Sequence, residues 1–256
     1  MTLYTESRLR KKQLTGIPNP FIVHEGDKIT PAALDYLRDH KINIIYEKQQ
    51  KHQRTKRNDK KMKIPVGVSN RHVHLSEEHV EQLFGKGYEL QKFRDLTQPG
   101  QYAAIETVTI LGPKGFINNV RVLGPIREET QVEISKTDGF TLGVHPPVRL
   151  SGSIDNTPGL TLIGPEGYVV IDKGTIVAKN HVHMSPDEAK QFSVDDHDTL
   201  MLKTLTDRPM ILPEVIVRVN DQFKLDCHLD LDEGNAANVR TGDELAVVGK
   251  NGMLFA

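Results

Sequence analysis

The chain has 256 residues, a formal net charge of −1, 37% hydrophobic residues and no tryptophan. This balance predicts a globular protein with a modest core and no overall field that would draw it to nucleic acid or to a membrane. A single cysteine, Cys227, excludes an internal disulfide framework and fits a reducing cytosol. The N-terminus has no secretory signal, and no apolar run approaches about 20 residues, so we expect a cytoplasmic protein.

The first 47 residues predict a small α/β appendage. Strands are expected at 21–23 and 42–46, and the helix between them is capped by Thr30 and opened by Pro31. This strand–helix–strand unit resembles N-terminal extensions on enzymes of bacterial ethanolamine and propanediol utilisation. An arm that only packs on the body is an equal alternative.

Residues 48–63 predict a flexible basic linker. The segment has eight Lys or Arg residues against one Asp and almost nothing apolar, so it cannot bury surface. Because no aromatic residues interleave with the charges, we interpret it as a solvated linker rather than a nucleic-acid contact.

From residue 64 onward the pattern is mainly β. Short β-branched runs recur between Gly, Pro and Asp turns, and only two helices are clear, at 77–84 and 187–192. Two near-identical turns, Gly-Pro-Lys-Gly and Gly-Pro-Glu-Gly, lie inside this series. We predict two β-barrel domains related by internal duplication, a first half at 64–155 and a second half at 156–256.

A His-Val-His triplet occurs twice, at 72–74 and at 181–183, each time before a capped helix. Alternate residues of a strand point to one face, so each triplet presents two imidazoles together. A later strand in each half offers a third ligand, and three protein ligands with an open fourth position are typical of catalytic zinc. We therefore predict two Zn²⁺ ions per chain. The ligand sets are His72, His74 and Glu133 for one ion, and His181, His183 and His228 for the other.

Other readings of these residues are available. A single triplet is more often surface or satisfied core histidine, and only the matched pair favours metal. Cys227 points away from His228 on a strand, so we interpret it as a core residue rather than a nucleophile. Five further histidines are interpreted as structural or solvated: His24, His40, His52, His79 and His197.

Three cations, Lys114, Arg121 and Arg127, lie within 14 residues. Arg127 follows a Gly-Pro turn that would present its guanidinium rigidly, and a planar guanidinium suits phosphate. Solvated surface charge is an even alternative for Lys114 and Arg121.

These motifs, in this order, resemble the phosphotransacylase family of bacterial propanediol utilisation, the phosphate propanoyltransferases. The resemblance covers about 64–253 and rests on SNRHVHL, LGPIR, the Glu133 strand, RLSGS, KNHVHMS, CHLD and DEGNAA. It implies a pair of β-barrels with a dinuclear zinc site between them, on the ligand sets given above, and Arg127 as the catalytic phosphate-binding residue. The implied coenzyme A contacts are Val68, Ser69, Asn70, Lys114, Arg121 and Asn235.

The reaction implied is acyl-CoA plus phosphate giving acyl phosphate plus CoA, with propanoyl-CoA and also acetyl-CoA as substrates. In some relatives an N-terminal segment targets the enzyme into a bacterial microcompartment, so shell or lumen proteins are candidate partners. A homodimer is left open, and neither nucleic acid nor a membrane is expected as a partner.

Two alternative functions remain. A dinuclear zinc hydrolase acting on a thioester or phosphoester would release free acid without phosphate. A non-catalytic shell or scaffold protein would bind no zinc and need no Arg127. If the protein is the zinc-dependent acyltransferase, Glu133 lowers the net charge at one ion. We therefore expect the zinc in the all-histidine site to be the stronger Lewis acid.

Overall fold

A computed structural model describes residues 2–13, 16–24, 26–47 and 62–255. The chain divides into two units after residue 59. The predicted basic linker at 48–63 lies outside the described residues except for Met62 and Lys63, and Lys63 already belongs to a strand.

The first unit is the predicted α/β appendage. Thr30 caps its second helix by accepting a hydrogen bond from the backbone N–H of Ala33 at 3.3 Å, with Pro31 in the first turn. Two pairs of strands, β1 with β3 and β2 with β4, are parallel. The elements are β1 (Leu3–Tyr4), α1 (Glu6–Gln13), β2 (Phe21–His24), β3 (Lys28–Ile29), α2 (Pro31–Asp39) and β4 (Ile44–Glu47).

The second unit is mainly β, as predicted. Its elements up to the second His-Val-His triplet are β5 (Lys63–Ser69), β6 (His72–His74), α3 (Glu77–Phe84), β7 (Lys92–Asp95), β8 (Tyr102–Leu111), β9 (Phe116–Gly124), β10 (Gln131–Glu133), α4 (Lys136–Leu142), β11 (Val148–Arg149), β12 (Leu160–Ile163), β13 (Tyr168–Ile171) and β14 (Thr175–Ala178). The rest are β15 (His181–Met184), α5 (Pro186–Phe192), β16 (Thr199–Thr204), β17 (Ile211–Val219), β18 (Asp226–Asp230), α6 (Leu231–Ala237), β19 (Glu244–Lys250) and β20 (Met253–Leu254).

The strands form one closed barrel and one open sheet. The barrel runs β16, β17, β15, β18, β5 and β19, and pairing of β19 with β16 closes it. The other sheet runs β11, β14, β10, β6, β9, β8, β12 and β13, with β7 attached to β8. Among the described residues its end strands β11 and β13 do not pair, so one of the two predicted barrels is only a half-barrel. Each sheet encloses its own apolar core.

The two halves are interleaved, which corrects the predicted boundaries of 64–155 and 156–256. The strand before each His-Val-His strand lies in the other half's sheet: β5 runs parallel to β18 in the barrel, and β14 runs parallel to β10 in the open sheet. β12 and β13 also belong to the open sheet. After β5 and after β14 the chain crosses to the other sheet and at once forms a His-Val-His strand. Both histidine strands therefore begin at the crossover.

A capped helix follows each of the four strands that carry predicted metal ligands. Ser76 and Ser185 cap α3 and α5, as predicted, while Ser135 and Asp230 cap α4 and α6, which were not predicted. The caps fix the points at which these strands end. None of the helices in the described part of the chain has the length and apolarity needed to cross a membrane.

The two Gly-Pro turns pack in matching ways against helix ends. The backbone N–H of Lys114 donates to the carbonyl of Leu142 at the end of α4, at 3.0 Å. The backbone N–H of Glu166 donates to the carbonyl of Leu83 near the end of α3, at 3.1 Å. Each turn thus satisfies a terminal helix carbonyl, and the shared arrangement supports the predicted duplication.

Candidate active site

Strands β6 and β10 place two histidines and a carboxylate on one face. They are antiparallel, with His72 opposite Glu133 and His74 opposite Gln131. The intervening valines are fully buried on the opposite face, in the core of the open sheet. The alternation of side chains therefore produces a two-by-two polar array against an apolar core.

Strands β15 and β18 repeat this array. His181 lies opposite His228, and His183 lies opposite Asp226. Cys227 lies between Asp226 and His228 on β18 and is fully buried on the opposite face, as predicted. Burial raises the pKa of its thiol well above the ordinary value. Its thiol is therefore unsuited to act as a nucleophile.

Each array brings its three predicted ligands together, with candidate ligand atoms within 4.8 Å of one another. In the first, Nε2 of His72 and Nε2 of His74 lie 3.3 and 3.9 Å from the Glu133 carboxylate oxygens. In the second, the imidazole centroids of the three histidines are 4.7, 4.8 and 5.0 Å apart. We call these sets the first and second triads.

The leading histidine of each triad is oriented in the same way. His72 donates from Nδ1 to the carbonyl of Asn70 at 2.9 Å, and His181 donates from Nδ1 to the carbonyl of Lys179 at 2.8 Å. Both acceptors lie in the crossover segments. Because Nδ1 is bound to a carbonyl, Nε2 is the nitrogen that faces the triad and that would bind a metal once it is unprotonated.

The charge in the first triad is shared between His72 and Glu133. Burial lowers the pKa of His72, but the Glu133 carboxylate outweighs it and raises that pKa above the ordinary value. Burial raises the pKa of Glu133, but His72 and then His74 lower it to well below the usual range. His74 stays neutral because burial, His72 and Arg127 lower its pKa to about 3.

The second triad is neutral at pH 7. Burial, followed by the neighbouring imidazoles, lowers the pKa of His183 to about 2 and that of His228 to about 4. Burial also lowers the pKa of His181. The Glu133 carboxylate acts against burial at both His181 and His228, so the negative charge of the first triad favours the protonated imidazoles of the second.

Arg127 joins the first triad, although it lies on neither histidine strand. Its backbone N–H donates to Leu75 at 2.9 Å, which fixes the segment that follows β9. Its guanidinium is half-buried and donates from Nη1 to Ser151 Oγ at 3.0 Å and from Nη2 to His74 Nε2 at 2.9 Å. Ser151 Oγ in turn donates to Glu133 Oε1 at 3.0 Å.

Gln131 supports the first triad and was not predicted. Its side-chain amide donates to Glu133 Oε1 at 2.6 Å and to Ser151 Oγ at 2.9 Å, and its carbonyl accepts from Gly152 N–H at 2.7 Å. The loop at 151–152 is thereby tied to the triad. Gln131 stands two residues before Glu133 on one strand, so the period of two could have identified it.

Arg218 is a second cation at the site and was not predicted. It pairs in parallel register with His183. Its guanidinium lies 5.8 Å from the ring centroid of Phe223, whose ring lies 4.2 Å from that of His183. Burial lowers the pKa of Arg127 below its ordinary value, and Glu133 acts against this. The charge of Arg218, which lies in the other half, lowers that pKa further. Only the tertiary structure brings these two arginines together.

Asp226 completes the second array. It is 4% exposed, and Oδ2 lies 3.5 Å from Nε2 of His228. Burial raises the pKa of Asp226 to about 6, although the Thr97 hydroxyl and Lys224 favour the charged form.

The predicted coenzyme A residues fall into two groups. Val68 to Asn70 lie at the end of β5, where Gly234, next to Asn235, packs closely on Val68. Asn235 lines a cavity of 630 Å³ between the starts of α4 and α6, where Thr137 N–H donates to Asp232 at 2.9 Å. The cavity is lined by Arg71, Ser135, Lys136, Thr137, Asp138, Phe140, Arg208, Leu231, Asp232, Asn235 and Ala236.

Lys114 and Arg121 do not line this cavity. Lys114 lies in the turn at the far end of α4. Arg121 pairs with His72 in register, but its Nη1 donates to the carbonyls of Ala104 and Ile105 at 3.0 and 2.6 Å. Their assignment to coenzyme A stays a prediction.

The chain is similar to known proteins that share one name. A family model described as phosphate propanoyltransferase matches residues 65–240. A phosphate propanoyltransferase of Thermotoga maritima is 57% identical over 186 residues, 72% of this chain and 89% of the relative. Those of Leptotrichia buccalis and Clostridioides difficile are each 49% identical, over 78% and 73% of this chain and 93% and 90% of the relatives.

The protein is therefore an acyltransferase. The chain belongs to the phosphate propanoyltransferase family, and the resemblance drawn from its motifs is confirmed.

Proposed function

We propose that the protein transfers a short acyl group between coenzyme A and inorganic phosphate, with propanoyl-CoA and acetyl-CoA as acyl donors, and that two zinc ions serve the reaction. The observation that carries this is the doubled array: two buried triads with Arg127 beside them. Family membership supplies the reaction class.

The residues fit zinc. Imidazole and carboxylate are ordinary zinc ligands, and three per ion leave a position open. Two buried nitrogens of the second triad, His183 Nδ1 and His228 Nε2, have no hydrogen-bond partner among the described residues. Buried polar atoms are nearly always paired, so these nitrogens support a ligand that the protein itself does not supply. Bound there, zinc would polarise the thioester carbonyl and help to neutralise phosphate.

Arg127 is the residue proposed to hold phosphate. A half-buried guanidinium presents paired donors that match two phosphate oxygens, and Ser151 and the backbone hold Arg127 in place. Phosphate is itself the nucleophile, so the task of the protein is to aim it at the thioester carbon. The carbon–sulfur bond breaks as the new carbon–oxygen bond forms, and coenzyme A leaves as a thiolate that needs little acid assistance.

The cavity beside Asn235 is the proposed place for coenzyme A. Lys136 and Arg208 line it and would meet phosphate groups of the cofactor, while Arg71 is paired with Asp138 at 2.9 Å. Arg71 directly precedes the first His-Val-His strand, so a cofactor in this cavity has its reactive end near the triads. A microcompartment location, shell or lumen partners and a homodimer stay predictions.

The test is an assay of coenzyme A release from acetyl-, propanoyl- and butanoyl-CoA, with and without phosphate. Hydroxylamine trapping measures the acyl phosphate formed. We expect release to require phosphate and to match the trapped product in amount. Release of free acid without phosphate would instead identify a hydrolase.

A further inference from the structure

Each array contains a fourth polar residue besides its three proposed ligands. In the first array Gln131 lies opposite His74, and in the second Asp226 lies opposite His183. The two residues occupy matching positions of the duplicated unit. One is a neutral amide and the other is a carboxylate.

The carboxylate therefore occupies a different position of the array in each half. In the first array it is Glu133, opposite the leading histidine, with the amide of Gln131 bound to it. In the second array that position is His228, and the carboxylate stands at the other position as Asp226. Each array thus contains one carboxylate.

Asp226 is held against the second triad. Its Oδ2 lies 3.5 Å from His228 Nε2, and it is 4% exposed. On the neighbouring strand Gly67 pairs with His228, and a Cβ at that position would lie 3.3 Å from Asp226 Oδ2. Glycine here leaves room for the carboxylate.

We propose that Asp226 is the carboxylate of the second metal centre, where it lies beside the metal-facing nitrogen of His228 and balances the charge of an ion held by His181, His183 and His228. This inference rests on the zinc of the proposed function. The sequence predicts a lower net charge at the first zinc site because of Glu133. With Asp226 in the second site, both sites have one carboxylate and this difference in net charge becomes smaller.

The reason is the free energy of a buried charge. A carboxylate removed from water destabilises the fold unless a cation or hydrogen bonds compensate it. A carboxylate beside a bound cation offsets its charge, so the ion and the carboxylate each make burial of the other less costly. Asp226 should therefore favour metal binding while adding little to the stability of the metal-free protein.

The experiment compares Asp226→Asn with Asp198→Asn in the full chain. Asp198 binds Lys250 outside both arrays and provides a matched structural carboxylate. Zinc is titrated into chelator-treated protein against a competing chelator, and the melting temperature of each metal-free protein is measured. Cobalt spectra report the second site independently, and Asp226→Glu tests rescue by a retained carboxylate.

We expect Asp226→Asn to weaken the affinity for one of the two zinc ions by about 10- to 100-fold and to alter the cobalt spectrum. The melting temperature of the metal-free protein should stay equal or rise. Asp198→Asn should lower the melting temperature and leave zinc binding unchanged. Unchanged zinc affinity in Asp226→Asn would overturn the inference alone. Absence of zinc binding in the unaltered protein would overturn the proposed metal sites as well, and acyl transfer measured in parallel separates that outcome from loss of the enzyme function.

Discussion

Arg127 donates a hydrogen bond to Nε2 of His74 at 2.9 Å, so one cation occupies a nitrogen that the first triad would offer to a metal. The contact is compatible only with a neutral His74 whose Nε2 carries no proton. Zinc on that nitrogen would release the guanidinium, which is then free to bind phosphate. If zinc binds there, metal binding and the availability of Arg127 for phosphate are linked.

Replacing Arg127 with alanine should raise the KM for phosphate by about ten-fold or more, since hydrogen bonds to a charged group contribute roughly 1.5–3 kcal/mol. The KM for acyl-CoA should change much less. Steady-state kinetics with varied phosphate measure this, and Arg149→Ala, an exposed arginine on β11, is the control. Normal phosphate kinetics in Arg127→Ala would reassign the phosphate site.

Each triad should hold one zinc ion. His181→Ala and His72→Ala should each reduce the zinc content from about two ions per chain to about one, because an open site with two ligands binds zinc poorly. Both should lose most activity. Elemental analysis of protein purified without chelator measures the content, and His197→Ala, which is exposed and outside the site, should keep both ions. Two ions retained in either variant would contradict the ligand sets.

The metal-free protein should lose stability as the pH falls below about 6.5. The pKa values of His183, His74 and His228 are lowered to about 2, 3 and 4, chiefly by burial, whereas an unfolded histidine titrates near 6.5. Below that pH the unfolded chain binds more protons than the folded chain, so acid favours unfolding by up to about 1.4 kcal/mol per pH unit for each group. The raised pKa values of His72 and Asp226 act in the opposite direction.

Urea unfolding of chelator-treated protein between pH 7.5 and pH 5 measures this dependence. His183→Gln should flatten the pH dependence because it removes one of the groups. His197→Gln should leave it unchanged. An unchanged pH dependence in His183→Gln would contradict the burial of a neutral His183.

The glycines that open the two Gly-Pro turns should be equally sensitive to substitution. A Cβ at Gly112 would clash with the carbonyl of Leu142, and one at Gly164 with the carbonyl of Leu83. Gly112→Ala and Gly164→Ala should each destabilise the protein by roughly 1–3 kcal/mol, as overpacking does. Chemical denaturation measures this, with the exposed Pro113→Ala and Pro165→Ala as controls in the same turns. A large effect at only one turn would contradict their structural equivalence.

Some elements of the fold could be predicted from the sequence because a local pattern, such as a helix cap, specifies them. The helix at 77–84 was predicted with its observed bounds from the Ser76 cap that follows the His-Val-His strand. Helices α4 and α6 were missed, although Ser135 with Asp138 and Asp230 with Glu233 form capping boxes. In both cases the cap follows directly on a strand, which obscures the change of period.

The sequence did not predict which strands belong to which sheet. A boundary near residue 155 follows the repeat in the sequence, but β5 and β14 each pair within the other half's sheet. No local pattern distinguishes a strand that pairs within its own half from one that pairs with the other half. Hydrogen-bond partners of strands are set by the whole sheet.

The sequence by itself determined the residues of the two triads and the family, because a period of two on a strand and a repeated motif are properties of the chain alone. Only the tertiary structure decided how the triads are joined: the strand exchange at the two crossovers, the contact of Arg127 with His74, and the position of Arg218. These depend on contacts between segments far apart in the chain, and such contacts exist only after the two sheets have packed.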